Sequence, residues 1–400
     1  MSGRIAVLGV HAGRVPPGAD ALLEAAALVA GGRRLLDELA PPGTLRIVLG
    51  ADLSTALEEI AAAPGPVCVL ASGDPGFFGV VRALAARLGA DRLDVRPAAS
   101  SVAVAFGRIG VPWDDAVVVS AHGRRPAPAL HAALRHPKVA VLTEPRTPPA
   151  WFAQRLAGTG RRLAVAERLG EADERVVRGT PEELAGHEAA EPNVLLVLDP
   201  ERAGGGRTHL AGATGPGGWA LPESAFEYRA GMVTKREVRA LALARLGPRT
   251  GDLVWDVGCG SGSVAVEAAR LGAAAIGVDR DPEAVALTER NAAAHGVPVR
   301  AVTGAAPEVL AELPDPDAVF VGGGGAELEA ILDASAARVR RTIVVTLALI
   351  ERAGPVLDRL AAAGLEADGT VVQASRLRPL AGGHRLAAEN PVMVLCGSRA

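Results

Sequence analysis

The sequence predicts an α/β protein built from two separate units. Its 400 residues exceed an ordinary single domain and suit two domains of about 150 to 200 residues each. Short β-branched runs alternate with Ala- and Leu-rich amphipathic segments along the chain, which is typical of mainly parallel sheets covered by helices. A glycine-rich stretch without a periodic apolar face interrupts this alternation at 201–224. We therefore expect domains at 1–200 and 225–400, joined by a linker at 201–224.

Each half has its own series of predicted elements. In the first half the strand candidates are 5–10, 45–49, 66–71, 93–96, 116–120, 139–143, 163–167 and 194–198. The helices predicted between them include 19–30, 80–88 and 151–156. In the second half the strand candidates are 253–257, 275–279, 299–302, 318–321, 342–347, 369–374 and 392–396. The second series predicts a sheet of its own.

The composition excludes several classes of function. Hydrophobic residues make up 49% and charged residues 22% of the chain, which is ordinary for a globular protein and argues against a mainly disordered one. Only 3% of residues are aromatic, too few for the stacking platforms that bind single-stranded nucleic acid. The net charge of −3 also lacks the basic excess that phosphate binding needs. We expect no nucleic-acid partner.

The cysteines and the hydropathy pattern favour a soluble, cytoplasmic protein. Cys68, Cys259 and Cys396 are far apart and form no CxxC pair, so neither a disulfide framework nor a metal site is expected. No uninterrupted apolar stretch of about 20 residues is available to span a membrane.

A strand, a glycine loop and a helix at 253–271 (LVWDVGCGSGSVAVEAARL) predict a cofactor site. Glycines let the backbone approach a ligand closely, and the N-terminus of the following helix offers free N–H groups. Asp279 ends the next strand, nineteen residues beyond Gly260, where a carboxylate can accept bonds from ribose hydroxyls. We assign cofactor contacts here to Asp256, Gly258, Cys259, Gly260, Gly262 and Asp279.

Two features favour S-adenosylmethionine over a dinucleotide. The dinucleotide fingerprint has a third glycine where this chain has Ser263. Asp256 precedes the loop by two residues and suits a cationic methionine moiety better than a pyrophosphate. The same carboxylate could instead cap the following helix, and that alternative stays open. Loop and Asp256 together resemble the first motif of class I methyltransferases.

Two basic clusters in the second half predict an anionic substrate. One lies just upstream of the glycine loop, where Thr234 and Glu237 have the spacing of a capping box. The other lies near the end of the chain. Guanidinium groups bind carboxylates bidentately, although ordinary solvated charge would explain either cluster alone. The candidates are Arg229, Lys235, Arg236, Arg376, Arg378 and Arg385, with Arg108, Arg124 and Arg146 as weaker ones in the first half.

The first half has a different signature, VLASGDPGFFG at 69–79. A buried strand ends there in a turn dense in glycine and proline, which permits close approach of a ligand to the backbone. The alternative is a simple turn in which Asp74 bonds locally. GVHAG at 9–13 closes the first strand, and AASS at 98–101 starts a helix after a later one.

Several segments of the second half resemble the decarboxylating methyltransferase domain of the vitamin B12 pathway. They are GMVTKREVRALAL, VWDVGCGSGSVAVEAA, LPDPDAVFVGG and PLAGGHRLAAENPV. The resemblance spans nearly all of 225–400 and implies a Rossmann-like class I methyltransferase with a seven-stranded, mostly parallel sheet. It also implies cofactor contacts at Gly304 and Ala305. The family commonly has an acidic residue where this chain has Ala305, and a polar segment in place of 346–351.

The segments of the first half resemble the tetrapyrrole methylase superfamily, and most closely its precorrin C-5 methylase branch. The resemblance covers about 3–200 and implies a class III methyltransferase fold, in which two α/β lobes hold S-adenosylmethionine in a bent shape. It implies that the turn at 72–79, the helix start at 98–101 and the region 142–146 border the cofactor. The cofactor residues it implies are Gly9, Gly73, Asp74, Phe77, Ser100 and Ser101.

Fused in this order, the halves resemble the decarboxylating precorrin-6Y C-5,15-methyltransferases. The resemblance implies that reduced precorrin-6 and two molecules of S-adenosylmethionine, one per domain, give precorrin-8X, carbon dioxide and two molecules of S-adenosylhomocysteine. The first half would methylate C-5, and the second would methylate C-15 and decarboxylate the ring C acetate. We expect a homo-oligomer with no metal, while the catalytic side chains stay unassigned. The alternatives are a fused methylase for another anionic substrate, such as RNA, and a non-catalytic corrinoid-binding protein with a decayed site.

Overall fold

The computed structural model describes residues 4–50, 52–204, 218–229, 231–323 and 325–399. The chain divides into two compact units. The first contains Met1–Arg124 and Pro137–Gly212, and the second contains Arg125–His136 and Ala213–Ala400. Most of the glycine-rich stretch predicted as a linker, 205–217, lies outside the described residues.

The helices of the first 200 residues alternate with strands, as the sequence predicted. They are α1 (Asp20–Glu24), α2 (Arg33–Leu39), α3 (Leu53–Ala62), α4 (Val81–Leu88), α5 (Ser101–Ile109), α6 (Ala127–Arg135), α7 (Pro149–Leu156) and α8 (Pro181–Leu184). All but α6 belong to the first unit.

The first lobe of this unit is a parallel five-stranded sheet in the order β3-β2-β4-β1-β5. Its strands are β1 (Ile5–Val10), β2 (Leu28–Gly31), β3 (Leu45–Val48), β4 (Val67–Ser72) and β5 (Leu93–Arg96). Alternate side chains of β1 enter two hydrophobic clusters, one with α1 and α2 and the other with α3 and α4. Burial on both faces explains the unbroken apolar sequence of β1.

The second lobe is a mixed five-stranded sheet in the order β6-β7-β10-β8-β9. Its strands are β6 (Val117–Ser120), β7 (Lys138–Leu142), β8 (Arg162–Glu167), β9 (Arg175–Gly179) and β10 (Asn193–Leu198). Only β6 and β7 are parallel, and the other pairs are antiparallel.

The second unit is a seven-stranded sheet in the order β13-β12-β11-β14-β15-β19-β16. Its strands are β11 (Leu253–Val257), β12 (Ala274–Asp279), β13 (Arg300–Thr303), β14 (Ala318–Val321), β15 (Thr342–Leu347), β16 (Glu366–Val372) and β19 (Val392–Ser398). All pairs are parallel except those that β19 makes with β15 and β16. The strand order reverses beside β11, the position where open α/β sheets bind ligands.

Helices cover both faces of this sheet and bury separate cores. They are α9 (Arg236–Leu246), α10 (Ser263–Arg270), α11 (Pro282–Ala294), α12 (Leu328–Ala336) and α13 (Ala353–Ala362). Between β16 and β19 the chain forms an exposed hairpin of β17 (Ser375–Leu380) and β18 (Gly383–Ala388). No helix in the described part of the chain is long and apolar enough to cross a membrane.

Helix α6 packs with the second unit although it lies within residues 1–200 of the sequence. The His131 ring Nδ1 lies 3.0 Å from the Gly251 carbonyl oxygen, and Leu134 packs against the core of the seven-stranded sheet. Burial lowers the pKa of His131, which favours the neutral ring in this contact. The sequence contained no signal for this grouping, because the helix periodicity does not say which core the apolar face will enter.

The prediction of one helix at 19–30 was wrong. Helix α1 ends at Glu24, and Leu28–Gly31 form β2, which pairs in parallel with β3 and β4. Leu28, Val29 and Ala30 are buried in the sheet. A short buried run of Leu, Val and Ala has the same composition as a buried helix, so only pairing with other strands decides its structure.

Candidate functional site

A cavity of about 530 Å³ lies where the strand order of the second unit reverses. It is bounded by the glycine loop after β11, the end of β12, the ends of β14 and β15, and the segment that precedes α9. Its lining includes Lys235, Asp256, Cys259, Asp279 and Phe320. The structure therefore brings together the loop, the acid after it and one predicted basic residue.

The glycine loop needs glycine for conformation and for space. Gly258, Gly260 and Gly262 have φ values of 75°, 55° and 68°, in the left-handed region that other residues rarely adopt. A Cβ on Gly262 would also lie 2.6 Å from the Thr288 side chain. Gly262 immediately precedes α10, so the close packing of this loop sets where the helix starts.

Asp256 is 1% exposed and holds the start of α10. Its Oδ2 accepts a hydrogen bond of 2.9 Å from the Ala265 N–H, so the capping alternative raised from the sequence is what the structure contains. Its Oδ1 is buried without a hydrogen-bond partner among the described residues. Burial raises the pKa of Asp256 to about 7, and nearby Asp279 adds to this, while the Ala265 N–H opposes it.

Asp279 organises the loop from the end of β12. Its Oδ2 accepts a 3.0 Å bond from the Gly260 N–H, and its Oδ1 accepts a 3.0 Å bond from the Asp281 N–H. The carboxylate lines the cavity and is only partly buried, so lone pairs remain for a ligand.

Of three other residues predicted to contact the cofactor, only Cys259 lines the cavity. Cys259 lines the cavity, but its thiol lies 3.3 Å from the Thr288 hydroxyl, and burial raises its pKa so that it stays protonated. Gly304 donates its N–H to the Asp279 carbonyl and extends the sheet. Neither Gly304 nor Ala305 is among the described residues that line the cavity.

A fully buried ion pair supports one wall of the cavity. Arg239 Nε lies 2.6 Å from Glu267 Oε1, and both side chains are 0% exposed. Arg239 also donates to the carbonyl of Thr234, which lines the cavity. Glu267 accepts the N–H of Leu221 at 3.0 Å. Arg239 and Glu267 therefore fasten the segment before α9 to the helix that follows the glycine loop.

The predicted capping box of Thr234 and Glu237 is absent. Helix α9 starts at Arg236 after Lys235, without a side-chain cap from either neighbour. Glu223 accepts the Arg236 N–H at 3.2 Å instead, and Glu237 pairs with Arg376 at 3.0 Å. A carboxylate thirteen residues upstream has replaced the local cap, which sequence spacing could not predict.

The predicted substrate cations fall into three groups. Arg229 pairs with Asp281 and Glu283, and Arg376 pairs with Glu223 and Glu237, so both are engaged within the protein. Lys235 lines the cavity. The remaining three are exposed on α9 and on the hairpin and have no described carboxylate within ion-pairing distance; they are Arg236, Arg378 and Arg385.

The first unit contains a cavity of about 140 Å³ between its own two sheets. Lining residues come from the loop after β1, from the ends of β4 and β10 and from the start of α5. Gly73 and Ser101 line it, beside Ser72, His11 and Asn193. None of 142–146 does so among the described residues.

Close backbone contact lies next to this first cavity, at Gly9, which does not itself line it. A Cβ on Gly9 would lie 2.2 Å from the Gly73 carbonyl oxygen and 2.3 Å from the Ala98 nitrogen. Gly73 has φ 65°, and Phe78 has φ 55°, which is a strained value for an aromatic residue. The 72–79 turn is therefore held in a conformation that its local sequence alone does not favour.

Three predicted residues of this unit have structural contacts. Asp74 accepts the Gly76 N–H at 2.8 Å, which is the local turn bond considered as the alternative. Ser100 caps α5 by accepting the Ala103 N–H at 3.2 Å. Phe77 packs against the hydrophobic core of the second lobe. Their direct contact with a cofactor stays a prediction.

Charged residues that the sequence pattern does not predict lie around the first cavity. Arg34 Nη1 lies 2.6 Å from Glu171 Oε1, and both residues line the cavity with Glu38. No motif marks them, because they come from α2 and from the loop between β8 and β9. Of the weaker candidates, Arg108 pairs with Glu174, whereas Arg124 and Arg146 are exposed and do not line this cavity. The described residues contain no cluster of three or more potential metal ligands.

Family models of known proteins match two separate parts of the chain. A tetrapyrrole (corrin/porphyrin) methylase family model matches residues 11–185, and a precorrin methyltransferase domain model matches residues 224–398.

Two curated relatives match across both halves, and a third matches less than half of the chain. A precorrin-6Y C(5,15)-methyltransferase [decarboxylating] from Sinorhizobium sp is 38% identical over 336 residues, covering 79% of this chain and 77% of the relative. A protein of the same name from Mycobacterium tuberculosis is 35% identical and covers 66% of each chain. A probable cobalt-precorrin-6B C(15)-methyltransferase (decarboxylating) from Pyrobaculum calidifontis is 42% identical and covers 44% of this chain and 93% of its own. The chain belongs to the family of decarboxylating precorrin-6Y C(5,15)-methyltransferases.

Proposed function

We propose that this protein methylates C-5 and C-15 of reduced precorrin-6 and releases the carboxylate of the ring C acetate as carbon dioxide, yielding precorrin-8X in cobalamin biosynthesis. The first unit acts at C-5, and the second unit acts at C-15 and decarboxylates. Each unit binds one molecule of S-adenosylmethionine. The cavity of the second unit carries the proposal, because a buried carboxylate, a partly buried carboxylate and an adjoining apolar and cationic surface meet there.

The residues of the second cavity fit the methyl donor of this family. Asp256 Oδ1 is a buried acceptor without a partner, which a cationic ligand would satisfy. Asp279 retains acceptor capacity at the end of β12, where ribose hydroxyls bind in related folds. Two carboxylates in one cavity would repel a pyrophosphate and attract a sulfonium or ammonium group. S-adenosylmethionine supplies a methyl group that is already electrophilic.

The protein's own task is then to hold and orient the reactants. Orientation of two reactants can lower an activation barrier by about 7–11 kcal/mol. Methyl transfer to the substrate therefore does not require an acid–base pair of side chains, and none is assigned. Phe320 and Val264 line the cavity with apolar surface, which would exclude water from the reacting groups once the ligands are bound. Decarboxylation needs an electron sink, which a conjugated, protonated pyrroline nitrogen of the substrate can provide.

The surface beside the cavity suits a flat, acidic macrocycle. Met232 lines the cavity and is 56% exposed, and Leu349 and Ile350 follow the lining residue Ala348 with 61% and 70% exposure. Exposed apolar groups of this size favour an apolar ligand. Lys235 at the same cavity, with Arg378 and Arg385 on the hairpin, would meet the carboxylates at the edge of such a ligand.

The first unit would hold its methyl donor along the backbone of its loops. Gly9 and Gly73 leave no side chain between the strand ends, and α5 begins with Ser101 at the cavity. The proposal keeps the remaining expectations from the sequence, which are a cytoplasmic homo-oligomer without a metal, nucleic-acid or membrane partner.

Product analysis of the full-length protein tests this proposal. The substrates are reduced precorrin-6 and S-adenosylmethionine with a deuterated methyl group. Mass spectrometry should detect a product that, relative to reduced precorrin-6, has gained two labelled methyl groups and lost one carbon dioxide. Calorimetry should find two donor sites per chain. A bound but unlabelled corrinoid would contradict catalysis, and a single labelled methyl group would contradict the two-site assignment.

A further inference from the structure

The β17–β18 hairpin emerges from the rim of the second cavity. Val372 of β16 pairs with Val392 of β19, and Val392 lines the cavity. The hairpin begins three residues after Val372, at Ser375, and forms a separate two-stranded sheet. Leu377 and Leu386, which pair across it, are 67% and 68% exposed. Neither leucine is therefore packed into a hydrophobic core of the described residues.

Arg376 makes the charged contacts at the base of the hairpin. Its Nη2 and Nη1 lie 2.5 Å and 3.2 Å from the two carboxylate oxygens of Glu223, and its Nη2 lies 3.0 Å from Glu237 Oε2. Burial alone would raise the pKa of Glu223, but the Arg376 guanidinium lowers it to about 2. A bidentate, partly buried contact between a guanidinium and a carboxylate fixes the relative orientation of the two side chains as well as stabilising them.

Both carboxylates lie at the start of α9, next to the segment that lines the cavity, although neither carboxylate lines it. Glu223 also accepts the Arg236 N–H at the start of α9, and Glu237 is the second residue of that helix. Lys235 immediately precedes the helix and lines the cavity. Arg376 therefore ties the hairpin to the part of the cavity wall that carries a predicted substrate cation.

Two further arginines share the face of Arg376. Alternate residues of a strand point to the same side, so Arg378 lies on that face, about 7 Å farther along the strand. Arg385 pairs directly with Arg378 across the hairpin. Like charges in directly opposite positions destabilise a hairpin, and no described carboxylate is within ion-pairing distance of either residue. An anionic ligand would relieve this repulsion.

We propose that Arg376 is a positioning residue for the substrate: with Glu223 and Glu237 it holds the hairpin so that Arg378 and Arg385 bind carboxylates of the tetrapyrrole while its reacting carbon faces the methyl-donor cavity. This inference rests on the proposed function. It also changes the assignment of Arg376, which acts through the hairpin instead of contacting the substrate.

Steady-state kinetics of the full-length protein with reduced precorrin-6 test this inference. Arg376→Met should raise the KM for the corrinoid about tenfold, while the Kd for S-adenosylmethionine at the second site stays unchanged. Arg376→Lys, which keeps the charge but cannot bridge two carboxylates, should give an intermediate KM. In an Arg378→Met/Arg385→Met background, adding Arg376→Met should change the KM less than about twofold, because the residues through which it acts are gone.

Arg245→Met is the matched control, because it removes an arginine–carboxylate pair, with Asp368, from the other end of α9. It should leave the KM unchanged. An unchanged KM in Arg376→Met, or an equal increase in both backgrounds, would overturn the inference. A wild-type protein that forms no methylated product would refute the proposed function and this inference with it, so the two failures are distinguishable.

Discussion

The two cavities of this protein are built in different ways. In the first unit, strand ends approach so closely that Gly9 has no room for a Cβ beside the backbone of Gly73 and Ala98. In the second unit, buried carboxylates hold the backbone around the cavity by hydrogen bonds. Asp256 binds the start of the helix after the glycine loop, and Glu267 binds the segment before α9. The first site should therefore be sensitive to added volume, and the second to changes of charge and pH.

The largest expected effect is on the second unit, from Arg239→Met. Removing one partner of a buried ion pair leaves an uncompensated charge, here Glu267, and typically costs about 3–5 kcal/mol of unfolding free energy. Denaturant titration of the full-length protein should detect this loss in the transition of the second unit. Arg245→Met, at an exposed pair, should change the same transition by less than about 1 kcal/mol. Similar losses in both variants would contradict the importance of burial.

Gly9→Ala should damage only the first unit. The new methyl group would meet backbone atoms, which cannot turn away, so we expect about 1–3 kcal/mol of destabilisation and loss of donor binding there. Calorimetry should then count one donor site per chain in place of two. Gly107→Ala is the control, because a Cβ at that helical position meets nothing within 4 Å. Retention of both sites in Gly9→Ala would contradict the close backbone packing.

The pH dependence of stability should separate the two units. Burial raises the pKa of Asp256 to about 7, so between pH 4 and 7, roughly, the folded state binds a proton that the unfolded state has released. Stability of the second unit should therefore fall as pH rises through this window and then level off. Asp256→Asn removes this contribution, so denaturation at pH 5 and pH 8 should show the variant gaining relative to wild type at pH 8. If the difference in unfolding free energy between Asp256→Asn and wild type were the same at pH 5 and pH 8, the raised pKa of Asp256 would be refuted.

The smallest effect is expected for Asp279→Ala. Loss of a partly exposed acceptor should weaken donor binding at the second site about tenfold, while the fold stays intact. Asp281→Ala is the comparison, because this neighbouring carboxylate caps α11 and does not line the cavity. Calorimetric titration with S-adenosylmethionine measures both. Equal affinities in the two variants would argue against a ribose contact by Asp279.

The candidate site of the second unit was predictable to the extent that it is local in sequence. The strand, the three glycines and the two acids follow one another within 27 residues, and all of them except Gly262 supply lining residues of one cavity. The basic residues were harder to assign. Arg229 and Arg376 looked equivalent to Arg378 in the sequence, yet their carboxylate partners lie 52 and 153 residues away along the chain. Spacing along a chain cannot reveal such pairs.

Local pattern by itself determined the α/β class, the separate strand series and the glycine loop, because alternation and glycine content express short-range constraints on the backbone. Only the tertiary structure decided that 28–31 is a strand, that α6 joins the second unit, and that Glu223 rather than Thr234 caps α9. Each of these depends on which distant surface buries the segment or completes its hydrogen bonds. The stabilisation from such long-range burial and hydrogen bonding exists only in the folded chain.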